Sequence, residues 1–138
     1  MNATRTGNEE RVRSLFDAHN EGPDAILGSL EEIFDPEIVW TPAIIGGLEG
    51  GSYHGYDGLR RYYADRDDAF EDGRVEVLET EAVGDDAVVA HVLSTGTGRA
   101  SGAKLEQDLW MLVRFRRGRI VLWHAFTGRF GALEAARA

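Results

Sequence analysis

Cysteine is absent from this 138-residue chain. Disulfides, thiolate metal sites and cysteine nucleophiles are therefore excluded together. No apolar run approaches the ~20 residues that a membrane-spanning helix needs. The polar start, Met1 to Gly7, has no apolar signal-peptide core, and a cytoplasmic location is the expectation. Basic charge is scarce: 15 Lys and Arg stand against 24 Asp and Glu, for a formal net charge of −9. A field of that sign repels phosphate backbones and anionic lipid, so neither nucleic acid nor a membrane is expected as partner. The four histidines, His19, His54, His91 and His124, contain no pair at metal-ligand spacing. No metal and no cofactor is expected.

What is present suits one soluble domain, with residues 8–134 as its body and 1–7 and 135–138 as flexible termini. A chain of this size buries roughly two-thirds of the surface it exposes when unfolded. Val12, Leu15, Phe16 and His19 recur at three- and four-residue steps, which predicts a first helix that Asn20-Glu21-Gly22-Pro23 stops. Ile26, Leu27, Leu30, Ile33 and Phe34 predict a second helix, and Glu37 to Thr41 a short strand. Ile44 to Ser52 holds four glycines and reads as a mobile loop. After the extended piece ending at Gly55, Asp57 caps a helix that carries Leu59, Tyr62, Tyr63 and Arg66 and runs to Asp72. On it, Arg61 and Asp65 form a four-residue ion pair.

The C-terminal half alternates. Strands are expected over Arg74 to Val83, Ala87 to Gly96, Lys104 to Arg116 and Arg119 to Thr127, with the tail from Gly131 adding a helical turn or fraying. Gly96-Thr97-Gly98 with Gly102 looks like a phosphate loop, but no helix follows it, and a hairpin turn is the better reading. Three helices followed by an antiparallel meander make an α+β fold. In the last two strands, Gln107, Leu109, Met111, Val113 and Phe115 share a face with Trp123 and Ala125 on the strand beside it. Trp110, Leu112, His124 and Phe126 fall on the opposite face. Both faces carry apolar residues, so the second needs a cover, and a homodimer through Trp110, Leu112, His124 and Phe126 is the simplest one.

The segments Asn20-Glu21-Gly22, Phe34-Asp35-Pro36-Glu37-Ile38-Val39-Trp40, Tyr53-His54-Gly55-Tyr56-Asp57-Gly58-Leu59, Arg99-Ala100-Ser101-Gly102 and Arg117-Gly118-Arg119-Ile120-Val121 follow one another in an informative order. That order resembles the SnoaL-like branch of the nuclear transport factor 2-like superfamily, over nearly the whole chain. The resemblance implies a cone-shaped, curved, antiparallel-rich sheet wrapped on three N-terminal helices and enclosing an apolar pocket, commonly in a dimer. It implies a pocket lined by Phe16, His19, Trp40, Tyr53, Tyr62, Gln107, Met111 and Trp123.

The superfamily includes polyketide cyclases, ketosteroid isomerases, epoxide hydrolases, dehydratases and proteins that only bind. Matched position by position, the isomerase tyrosine falls at Leu15, its aspartate base at Thr41 and its protonated acid at Met111. The cyclase acid falls at Ala125, and Trp123 stands where a histidine is often found. None of these side chains performs proton chemistry. Three readings follow: a protein that binds a small apolar or aromatic molecule; a cyclase-, isomerase- or hydratase-like enzyme using His19 or His54 with a tyrosine; and a dimeric interaction module without catalysis.

Overall fold

Ala3–Glu21 form α1, whose apolar stripe is buried at Val12, Leu15, Phe16 and His19. The computed structural model describes residues 3–43 and 51–138, and the glycine-rich stretch expected to be mobile lies outside them but for Gly51 and Ser52. The helix stops where the sequence requires, at Gly22 with φ 125° and then Pro23, the first residue of α2 (Pro23–Leu27). The single second helix expected through Phe34 is two short ones, α2 and α3 (Leu30–Ile33). Gly28 caps the first by donating to the Asp24 carbonyl. The Ser29 carbonyl accepts from Glu32 and Ile33 and starts the second.

β1 (Phe34–Thr41) and β2 (Tyr53–His54) pair antiparallel. Next comes α4 (Gly55–Ala69), which differs from expectation at both ends. Its N-cap is His54, and Asp57 lies inside the first turn, held to Arg60 at 2.6 Å. There its charge suits the helix dipole without capping a backbone N–H. The C-terminal end comes at Ala69 rather than Asp72, because Phe70 and Glu71 already pair with Gly98 and Thr97 in the sheet. Arg61 and Asp65 do not pair as expected. Tyr53 separates them, its hydroxyl donating to Asp65 at 3.0 Å while the Arg61 guanidinium stands 5.2 Å from its ring centre.

The glycines of Tyr53-x-Gly-x-x-Gly explain this entry. Gly55 has φ +70°, and a Cβ at Gly58 would lie 3.0 Å from the Tyr53 carbonyl carbon. The motif therefore lets α4 press directly against β2.

β3 (Phe70–Val83), β4 (Ala87–Gly98), β5 (Lys104–Arg116) and β6 (Arg119–Phe126) form the expected meander, and the sheet runs β2-β1-β6-β5-β4-β3. β1 lies parallel to β6, placing Trp40 directly across from Trp123. The curved α+β sheet and its N-terminal helices are as the resemblance implied. Asp35 ties the start of β1 to the end of β5: Arg116 grips both carboxylate oxygens, at 2.8 and 3.2 Å.

The inner face packs Leu109, Met111, Val113, Phe115, Trp123 and Ala125 against α1 and α4. The outer face has a cover that the strand pattern did not identify. α5 (Arg129–Arg137) lays Ala132, Leu133 and Ala136 over Leu112, Ala87 and Val89. The tail from Gly131, for which the sequence left a helical turn or fraying open, is thus a packed helix; residues 135–137, expected in a flexible terminus, belong to it, with Ala136 buried. Leu112 is buried within the chain itself, whereas Trp110, His124 and Phe126 stay half-buried. Among the described residues no helix is long and apolar enough to cross a membrane.

Candidate functional site

Between α4 and the inner face of the sheet lies a cavity of about 570 Å³. Ligand pockets of small-molecule proteins occupy this size range. His19 of α1 contributes to one wall. Trp40, Trp123 and Met111 form an apolar wall from β1, β6 and β5. Tyr53, Tyr62 and Arg66 come from β2 and α4; Val75, Thr95 and Gln107 come from β3, β4 and β5.

The flattest part of this lining is the Trp40–Trp123 stack, with ring centres 3.8 Å apart and planes 25° from parallel. It arises because residues directly across a parallel strand pair share a face. Both indole N–H groups are buried without a hydrogen-bond partner. Each such donor costs on the order of 1–3 kcal/mol relative to a satisfied one. Tyr62 stands edge-on to Trp40, Tyr53 and Tyr63 at 5.0 to 5.4 Å. Burial pushes its hydroxyl up to about 12, so it remains protonated near neutrality. The Trp40 N–H lies near enough to favour the Tyr62 anion, yet makes no hydrogen bond of normal geometry with it.

His19 is 4% exposed, and its Nδ1 is 2.8 Å from the Tyr63 hydroxyl. Burial first, and the Arg66 charge second, bring the imidazole down to about 3. Burial also raises the Tyr63 hydroxyl well above its ordinary range. The pair is therefore a neutral phenol and a neutral imidazole. Tyr63 has no other described partner, so its proton is satisfied only if the hydroxyl donates to Nδ1. Nε2 then carries the ring proton and remains unpaired on a residue that lines the cavity. Asn20 fixes this end of α1: its carboxamide donates to the Val75 carbonyl at 2.7 Å and accepts from the Val75 N–H at 2.8 Å.

Of the side chains expected at the site, His19, Trp40, Tyr53, Tyr62, Gln107, Met111 and Trp123 do line the cavity. Phe16 does not; it packs behind, edge-on to His19 and Trp123 at 6.3 and 5.9 Å. His54 is exposed at the N-cap of α4 and away from the cavity. Leu15 and Ala125 are buried in the core, and the Thr41 hydroxyl is spent on Ser52 at 2.8 Å. The carboxylates at the cavity, Asp65 and Asp68, are solvent-exposed. Sequence reasoning left out Arg66, Val75 and Thr95. Arg66 had a signal, since it stands four residues after Tyr62 and three after Tyr63 on one helix. Among the described residues no cluster of three or more His, Asp or Glu side chains is arranged to hold a metal ion.

Known structures share this architecture. A protein from Jannaschia sp. CCS1 assigned as a SnoaL-like polyketide cyclase is 20% identical, with TM-score 0.77, over 100% of this chain and 96% of its own. A protein of ketosteroid isomerase-like fold from Catenulispora acidiphila DSM 44928, in complex with trimethylamine, is 16% identical, with TM-score 0.71, over 93% and 92%. TerC, co-crystallised with polyporic acid, is 17% identical, with TM-score 0.73, over 96% and 99%. At these identities the likeness is one of fold. No curated protein matches the chain. The SnoaL-like domain signature matches residues 12–123, and the chain belongs to the SnoaL-like domain family.

Proposed function

We propose that this protein binds a small apolar or aromatic metabolite in the cavity bounded by Trp40, Trp123 and Tyr62. The observation that carries the reading is the space itself. The aromatic side chains line a cavity of about 570 Å³ instead of filling it. A planar apolar ligand would pack against the aromatic lining of that cavity. That fold relatives are seen with trimethylamine and with polyporic acid is consistent with a binding role for such cavities.

A thermal-shift panel of polycyclic, aromatic and terpenoid compounds tests this. A ligand at ~100 times its Kd adds about 2.7 kcal/mol to stability, which raises Tm by several degrees. Mass spectrometry of the same mixtures separates binding from turnover. A broad panel with no shift contradicts the reading.

A cyclase-, isomerase- or hydratase-like activity is favoured by one feature, the His19 Nε2 on a cavity-lining ring backed by Tyr63. A neutral imidazole brought down to about 3 is a poor base and a good hydrogen-bond donor. Its role would be to polarise a carbonyl. His19→Ala should then lower turnover by about 10²–10⁴-fold, and unchanged turnover removes His19 from any mechanism. A homodimer through the outer sheet face has less surface than the sequence suggested, because α5 occupies Leu112. Trp110, His124 and Phe126 remain for it. Sedimentation velocity distinguishes the dimer from the monomer.

A further inference from the structure

We propose that the ligand is an aromatic acid, whose carboxylate Arg66 binds and the His19 Nε2–H orients while its rings lie against Trp40 and Trp123. This assignment names the ligand class of the pocket proposed above and rests on that reading.

Arg66 is the observation that sets it apart. Among the described residues Arg66 is the one arginine that lines the cavity; it is half-buried there, and its guanidinium has no hydrogen bond or ion pair. Its acidic neighbours on α4 do not neutralise it. Asp65 accepts from Tyr53, Asp67 from Arg99, and Asp68 lies exposed at the cavity mouth. The C-terminal end of the α4 dipole gives partial compensation only.

The guanidinium is also seated. It lies over Gly73, where a Cβ would collide with Nη2 and come within 2.9 Å of Cζ. Position 73 thus leaves the space that holds the charge at the cavity. His19 supplies the second donor, because Tyr63 takes Nδ1 and leaves Nε2–H. A fork-shaped cation with five N–H groups and one neutral N–H donor suits a carboxylate. A cationic ligand would face repulsion from the same guanidinium, and an uncharged one would leave it unpaired.

Isothermal titration with two matched pairs tests the assignment: 2-naphthoate against 2-naphthamide, and 9-anthracenecarboxylate against its amide, at about pH 7.5 where both acids are ionised. The acids should bind about tenfold or more tightly than the amides. Arg66→Gln should weaken the acids by roughly 10- to 100-fold, the range of a hydrogen bond to a charged group, and change the amides by less than about threefold. Gly73→Ala keeps the positive charge but displaces the guanidinium. It should lose much of the acid preference with little change in Tm, because the displaced atoms end a flexible side chain. If Arg66→Gln fails to fold, Gly73→Ala decides.

Acids and amides binding equally well would overturn the assignment while leaving the pocket reading intact. Acid preference that survives both variants would overturn it too. Binding by neither series would overturn the aromatic-acid assignment, and the thermal-shift panel then decides the pocket reading separately.

Discussion

Acid should weaken this fold through His19 in a way that can be isolated. The imidazole is 4% exposed and is held at about 3, by burial and then by the Arg66 charge. In the unfolded chain it returns to about 6.5. A histidine whose folded pKa is depressed stabilises the fold fully above its unfolded value. As pH falls from about 6.5 toward 3, the unfolded chain takes up the proton first and that stability is lost. Between about pH 7.5 and pH 5 the loss is about 2 kcal/mol. This figure depends on the unfolded pKa and hardly on how far below 5 the folded value lies. Urea denaturation at the two pH values, for the wild type and His19→Gln, isolates it. His54, His91 and His124 are common to both proteins, so their contributions cancel, including that of His124, which burial also lowers. Glutamine keeps a polar partner for Tyr63 and removes the titration. The wild type should lose about 2 kcal/mol more than the variant over this window. Equal losses would refute a neutral, buried His19.

Three further substitutions probe the frame around the cavity. Tyr63→Phe strands His19 Nδ1 and should cost about 1–3 kcal/mol by chemical denaturation. Asn20→Ala leaves the Val75 N–H and carbonyl without their partner and should cost a similar amount, about 1–3 kcal/mol, with faster amide exchange at Val75. Leu133→Ala opens the contact of α5 with Leu112 and should cost about 2–4 kcal/mol in Tm-based stability, whereas a frayed tail would give nearly none.

Much of the fold was legible because its strands keep period two. The alternation in β5 and β6 placed Met111 and Trp123 on the inner face and Leu112 and Phe126 on the outer one, as observed. The ends of α4 were less legible. Asp57 has a capping side chain, but Gly55 supplies the turn that starts the helix, and the pairing of Phe70 with Gly98 ends it early. The cover over the outer face depended on Ala132, Leu133 and Ala136, too few positions to establish a period in so short a tail.

At the site, aromatic residues gave the lining, while polar partnerships formed only in three dimensions. The Trp40–Trp123 stack requires β1 to lie beside β6, a parallel pairing between strands far apart in sequence. The seat of Arg66 depends on Gly73, which lies one residue past the end expected for that helix and gives no sign in the sequence of the side chain it accommodates. Phe16 and His54 illustrate the opposite error. Each has the right chemistry for a pocket, but one faces the core and the other faces solvent.

The central claim is that the cavity is the working surface. The chain has three tryptophans, of which Trp40 and Trp123 line the cavity and Trp110 lies on the outer face. A two-dimensional ¹H–¹⁵N spectrum resolves their indole N–H signals, assigned by single Trp→Phe variants. During titration with the strongest thermal-shift ligand, the Trp40 and Trp123 signals should move together and saturate while Trp110 stays still. Movement of Trp110 alone would contradict the account and make the outer sheet face the binding surface.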